Sequence, residues 1–148
     1  MINNTLTNFE IDEILKKYKI KYNGIFLKDK LPNNLLNGFY IINLQSSSDG
    51  NGTHWIALNK VNDGYSQIFD SYGFPPPQEV EDKLKYYVYN HKEIQNIDSS
   101  SCGFYCIAWM KFISEHENNL KKAFDTFISL FSKDTEKNEE ILYKLLYC

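Results

Sequence analysis

The sequence contains no arginine: all 16 basic residues are lysine, set against 19 acidic residues for a net charge of −3. Such a chain lacks the positive field that holds nucleic acid or an anionic membrane, so neither is an expected partner. Abundant Asn and Ile beside the missing Arg suggest an AT-rich source and bear little on mechanism. Cysteine is scarce: Cys102, Cys106 and Cys148 make an odd count that argues against a disulfide framework and fits a reducing cell interior. Only three histidines occur, His54, His91 and His116, and none falls with cysteine at metal-ligand spacing, so no metal is expected. No motif calls for a cofactor. No apolar run approaches the ~20 residues of a membrane span, and Met1-Ile2-Asn3-Asn4 does not read as a signal peptide.

What remains is globular. With 148 residues, 43% hydrophobic and 16% aromatic, the chain reads as one domain over 1–148. A chain of that size buries roughly two thirds of its unfolded surface without staples. Thr7-Asn8-Phe9-Glu10 has the form of a capping box and opens a helix to about Tyr18, with Phe9, Ile11, Ile14, Leu15 and Tyr18 as the candidate buried stripe. Phe39 to Leu44 reads as a buried strand, and the small polar run Ser46 to Gly52 as a surface loop. Thr53–Val61 and Tyr65–Ser71 are strand-like runs joined through Asn62-Asp63-Gly64, a strong hairpin signal. Pro75-Pro76-Pro77 stops the sheet. A helix is expected from Gln78 to about Tyr89, a short edge strand at Ile94–Ile97, and two late helices near Leu120–Phe131 and Glu136–Leu146. The class is α+β: a small central, mostly antiparallel sheet flanked by helices.

The chemistry gathers around Asp98-Ser99-Ser100-Ser101-Cys102-Gly103-Phe104, where a polar loop runs into an apolar helix with cysteine at its start. The positive end of a helix dipole stabilises a thiolate, a placement that suits a nucleophile. A thiol nucleophile needs a base and a group that orients the base. His54 lies at the start of one hairpin strand and Asp70 at the end of the other, so an antiparallel fold at Asp63-Gly64 brings them together. His91 follows a polar helix end and suits a bland stabilising role, and His116 lies in Ser-Glu-His-Glu-Asn-Asn, a solvated helix end. Asp70 has two readings, a turn-capping carboxylate or the acceptor that orients His54. Gln95, seven residues before Cys102, is either a water-facing strand glutamine or a side-chain donor to an oxyanion. Gly103 would let backbone approach substrate closely, and Cys106, at helical spacing, reads as core.

His54-Trp55, Asp70, Gln95 and Cys102-Gly103, in this order and spacing, resemble the adenain family of adenovirus endopeptidases and, more broadly, the clan of Ulp-type SUMO-specific proteases. The resemblance is carried by Gly52-Thr53-His54-Trp55-Ile56-Ala57-Leu58, Phe69-Asp70-Ser71-Tyr72-Gly73-Phe74-Pro75-Pro76 and Ser101-Cys102-Gly103-Phe104-Tyr105-Cys106, and spans about Phe39 to Ile113. Similar proteases occur in adenoviruses, virophages and giant viruses. The resemblance implies Cys102 as nucleophile, His54 as general acid/base, Asp70 as its orienting carboxylate and Gln95 as oxyanion donor. It also implies Trp55 and Gly103 at a narrow substrate cleft admitting small residues such as Gly-Gly. The implied substrates are viral precursor proteins, cleaved during particle maturation in the virion or host-cell interior. An isopeptidase acting on ubiquitin-like modifiers and a catalytically inactive binding module are the alternatives. No cysteine precedes Cys102, so a disulfide-linked activator is not expected, which leaves room for a noncovalent activator peptide. The acidic charge disfavours a DNA activator. The upstream Trp of SUMO-directed enzymes is also missing, since Trp109 follows the cysteine.

Overall fold

The computed structural model describes residues 4–45 and 54–147. Helix α1 (Asn8–Lys17) starts at the capping box: Thr7 Oγ1 accepts the Glu10 N–H and Glu10 Oε1 accepts the Thr7 N–H. It buries Ile11 and Leu15, one turn apart on one face, whereas Phe9, expected in the stripe, is 78% exposed. Strands β1 (Ile25–Leu27), β2 (Gly38–Asn43), β3 (Trp55–Asn62), β4 (Tyr65–Phe69) and β5 (Tyr87–Tyr89) form a single sheet in that order. Helices α2 (Gln78–Glu81), α3 (Cys102–Glu115), α4 (Leu120–Ser129) and α5 (Asn138–Tyr147) complete the set of described helices of the α type. The chain is therefore α+β, a mixed sheet flanked by helices. Among the described residues no helix is long and apolar enough to cross a membrane.

The three central strands are antiparallel, as expected from the hairpin at Asp63-Gly64. Two edge strands were not expected, and both run parallel to their neighbours, so the sheet is mixed. The predicted helix over Gln78–Tyr89 is the largest correction. Only one turn, α2, forms there, and Tyr87-Val88-Tyr89 instead joins β4 as β5. Aromatic and β-branched residues fit a pleated, half-buried surface, and pairing with an available sheet edge outweighs a weak helical pattern. Ile94–Ile97 is not a strand: the N–H groups of Ile94 and Gln95 both donate to Ser71 O, which holds the segment as a loop. Helix α4 ends at Ser129, and Thr135–Lys137 is a 3₁₀ turn ahead of α5. The expected Ser46–Gly52 loop lies outside the described residues, as does Cys148.

The sheet divides the core by its period of two. Phe39, Ile41, Ala57 and Phe69 face α3, and Tyr40, Ile42, Leu58 and Ile68 face Leu31, Leu35 and Val80. Helix α3 is buried nearly all round, from Cys102 through Met110. A helix that is apolar on every side needs cover on every side. The sheet, α1, α4 and α5 provide it, and this fixes where Cys102 stands.

Candidate active site

The β3–β4 hairpin delivers the first pair. His54 immediately precedes β3 and Asp70 immediately follows β4, and His54 Nε2 lies 2.7 Å from Asp70 Oδ1. Asp70 is 2% exposed and its backbone is clamped by Asn90, whose Oδ1 accepts the Asp70 N–H at 2.9 Å and whose Nδ2 donates to Asp70 O at 2.6 Å. Asp70 Oδ1 also accepts the Tyr72 N–H at 2.8 Å, and Asp70 O accepts the Gly73 N–H. The two readings of Asp70 are therefore compatible: the same carboxylate shapes the turn and meets the histidine. Gly73 has φ +78°, and a Cβ there would lie 2.7 Å from the Lys92 carbonyl, so the turn requires glycine.

His54 is 13% exposed. Burial opposes its charged form, but the hydrogen bond it donates to Asp70, followed by the influence of Cys102, lifts its pKa to about 9. Nε2 belongs to Asp70, and Nδ1 is buried without a completed hydrogen bond. Cys102 stands after Asp70 among the groups that favour the protonated ring. Tyr72 stacks on the imidazole with ring centroids 4.6 Å apart, and its hydroxyl donates to Ser99 O at 3.2 Å. Its phenol is pushed up by burial first, then by the charges of Cys102, Asp70 and Glu139. Sequence reading passed over Tyr72 and Asn90. The first was visible as an aromatic two residues beyond Asp70, whereas nothing local marked the second.

Cys102 is the first residue of α3 and is buried. Ser101, at the N-cap position, makes no capping bond to the helix. Its hydroxyl donates instead to Glu139 Oε1 at 2.7 Å. Cys106, one turn on, is fully buried with its thiol donating to Trp55 O at 3.4 Å. Burial, then the charges of Cys102 and Asp70, push that thiol well above its ordinary range, which suits a core residue.

Gln95 is completely buried, which removes the water-facing reading. Its Oε1 accepts the Ser71 hydroxyl at 2.5 Å, and its Nε2 donates to Ser99 O at 2.9 Å and to Ser99 Oγ at 3.3 Å. Both amide hydrogens are thus held on Ser99 in the resting structure. Trp55 is buried, with its indole N–H donating to Leu6 O at 3.0 Å. It lines a cavity of about 520 Å³ with Leu6, Phe26 and Asn43, at the His54 end of the sheet. Gly103 packs under Leu6, where an added Cβ would lie 3.1 Å from Leu6 Cδ1. The N-terminal segment thus rests on both sequence-predicted cleft residues, and the small residue at 103 has a packing reason of its own.

No protein-family model matches this sequence, and no curated protein matches it significantly. Solved structures do match the fold. The chain is similar to the crystal structure of the ASFV pS273R protease, at a TM-score of 0.62 and 19% identity, covering 98% of this chain and 67% of that one. It is similar to the selenomethionine form of the same protease at a TM-score of 0.60 and 20% identity, covering 98% of this chain and 68% of that one. At such identity the likeness establishes a shared fold.

Proposed function

We propose that this chain is a cysteine endopeptidase that cleaves viral precursor proteins after small residues such as Gly-Gly during particle maturation, in the virion and the host-cell interior. The observation that carries the reading is the buried His54–Asp70 pair at 2.7 Å, with Cys102, at the start of α3, acting on the same ring. A fold shared with a viral protease supports it.

In this reading each group has a task. Asp70 holds the imidazole through Nε2 and stabilises its protonated form, which leaves Nδ1 to exchange a proton with Cys102. The thiolate attacks the scissile carbonyl carbon, and negative charge develops on the carbonyl oxygen. Backbone N–H groups at the start of α3 meet that charge, where the helix dipole is positive. Gln95 adds a side-chain donor by turning its hydrogen away from Ser99 Oγ, the longer of its two bonds at 3.3 Å. His54 then protonates the leaving amine, and a thioester forms between Cys102 and the acyl fragment. A water deprotonated by the neutral His54 hydrolyses the thioester and regenerates the thiol. Trp55 and the adjoining cavity wall the approach, and any activator would be a noncovalently held peptide.

The test is incubation of wild-type protein and Cys102→Ala with candidate virion precursor proteins, reading new termini by mass spectrometry. New termini after small residues, absent with Cys102→Ala, are expected. Equal cleavage by the variant would overturn the assignment.

A further inference from the structure

Glu139 sits in the first turn of α5, at the far end of the chain from the hairpin, yet it reaches the loop that delivers Cys102. Its Oε1 accepts the hydroxyls of Ser99 and Ser101, each at 2.7 Å. Ser101 directly precedes Cys102. Ser99 is a hub: its Oγ accepts the Ser101 N–H at 3.1 Å and a Gln95 amide hydrogen at 3.3 Å. Its carbonyl accepts the other Gln95 hydrogen at 2.9 Å and the Tyr72 hydroxyl at 3.2 Å. One carboxylate on the C-terminal helix is therefore a single bond away from the Cys102 turn and two bonds from Gln95 and from the ring stacked on His54.

The chemistry of the acceptor gives this network a direction. A serine hydroxyl has one hydrogen and two lone pairs, whereas an ionised carboxylate only accepts. The Ser99 hydrogen is committed to Glu139, so both Ser99 lone pairs face the amides of Ser101 and Gln95. Hydrogen bonds to a carboxylate are about twice as strong as neutral ones, so the commitment is firm. The second Glu139 oxygen is buried next to the Tyr105 hydroxyl on α3, without a completed bond to it. Burial, and then the Glu139 charge, push that phenol well above its ordinary range, so it remains a donor facing the carboxylate.

We propose that Glu139 is a positioning residue of the acyl-transfer site: it sets the donor–acceptor direction at Ser99 and thereby holds Cys102 and Gln95 in working orientation. The proposal rests on the reading of the site as a cysteine peptidase. A residue of this kind acts on turnover more than on substrate affinity, because it touches no substrate, and misplacing a reacting group by about 1 Å costs on the order of 100-fold in rate.

Steady-state kinetics on a fluorogenic Gly-Gly peptide test it, with active enzyme counted by labelling of Cys102 with a peptide electrophile. Glu139→Gln keeps the shape but makes one end of the group a donor, and is expected to lower kcat roughly 10-fold. Glu139→Ala is expected to lower it roughly 100-fold, and KM should stay within about two-fold in both. Glu140→Ala, an exposed neighbour paired with Lys144, should leave both constants unchanged. Ser99→Ala combined with Glu139→Gln should lose less than the product of the two single losses, because Glu139 acts partly through Ser99 and partly through Ser101, and a fully multiplicative loss would overturn the proposal. If Glu139→Ala does not fold, Glu139→Gln carries the test. An active wild type with unaltered kcat in Glu139→Gln overturns this proposal alone, as does a loss that vanishes once rates are divided by labelled enzyme. A wild type with neither turnover nor labelling overturns the peptidase reading and this proposal together.

Discussion

Replacing Asp70 by Asn keeps the shape of the group that meets His54 and removes its charge. In the wild type the histidine is lifted from 6.5 to about 9 although burial, the largest influence on it, works in the opposite direction. That gap corresponds to about 3 kcal/mol in favour of the protonated ring. Asp70 is the largest of the groups that raise it, so in Asp70→Asn burial prevails and the pKa should fall to 6.5 or lower. The alkaline limb of kcat/KM reports loss of the His54 proton. It is expected near pH 9 in the wild type and at least about two pH units lower in the variant. Stability should follow the same proton. The folded-state pKa lies above the unfolded one, so the stabilisation is full below pH 6.5 and is lost as pH rises to about 9. Thermal melts across pH 6–10 should therefore show a decline in the wild type that Asp70→Asn lacks. Activity should be measured on a Gly-Gly peptide in parallel. An Asp70→Asn enzyme whose alkaline limb stays near pH 9 would refute the reasoning, because Asp70 would then not be what keeps the ring charged.

Two further outcomes follow from the same geometry. Gln95→Ala should lower kcat by ~10²–10³-fold, the usual cost of one oxyanion donor, with little change in KM. A parallel loss of thermal stability should accompany it, since the Ser71 and Ser99 bonds are lost together, and a variant with unchanged kcat would reduce Gln95 to a strut. Gly73→Ala must hold an L residue at φ +78° with its Cβ 2.7 Å from the Lys92 carbonyl. A destabilisation of about 1–3 kcal/mol in chemical denaturation is expected, and an unshifted midpoint would show that the turn yields more readily than its geometry implies.

Much of this protein was legible because its signals are local. The Thr7–Glu10 box and the Asp63-Gly64 turn each satisfy backbone groups within a few residues, and the step from polar loop to apolar helix at Cys102 is a change of composition read directly along the chain. Where the outcome depended on a distant partner, local pattern failed. Tyr87–Tyr89 became an edge strand because β4 offered an unpaired edge, and Ile94–Gln95 became a loop because Ser71 O takes both of its N–H groups. Phe9 stayed exposed because it stands two residues before Ile11, roughly half a turn around α1, and so points away from the face that Ile11 and Leu15 bury.

The candidate site divides in the same way. Sequence alone determined the residue types, the hairpin that pairs His54 with Asp70, and the place of Cys102 at a helix start, since spacing and turn chemistry suffice for those. Only the tertiary structure decided that Asn90 clamps Asp70, that Tyr72 stacks on His54 and that Gln95 is buried against Ser99. It alone decided that a carboxylate 37 residues beyond Cys102 holds the Cys102 loop. Hydrogen bonds between segments remote in sequence leave no periodic trace, because they depend on how the helices and sheet pack and on no repeat along the chain.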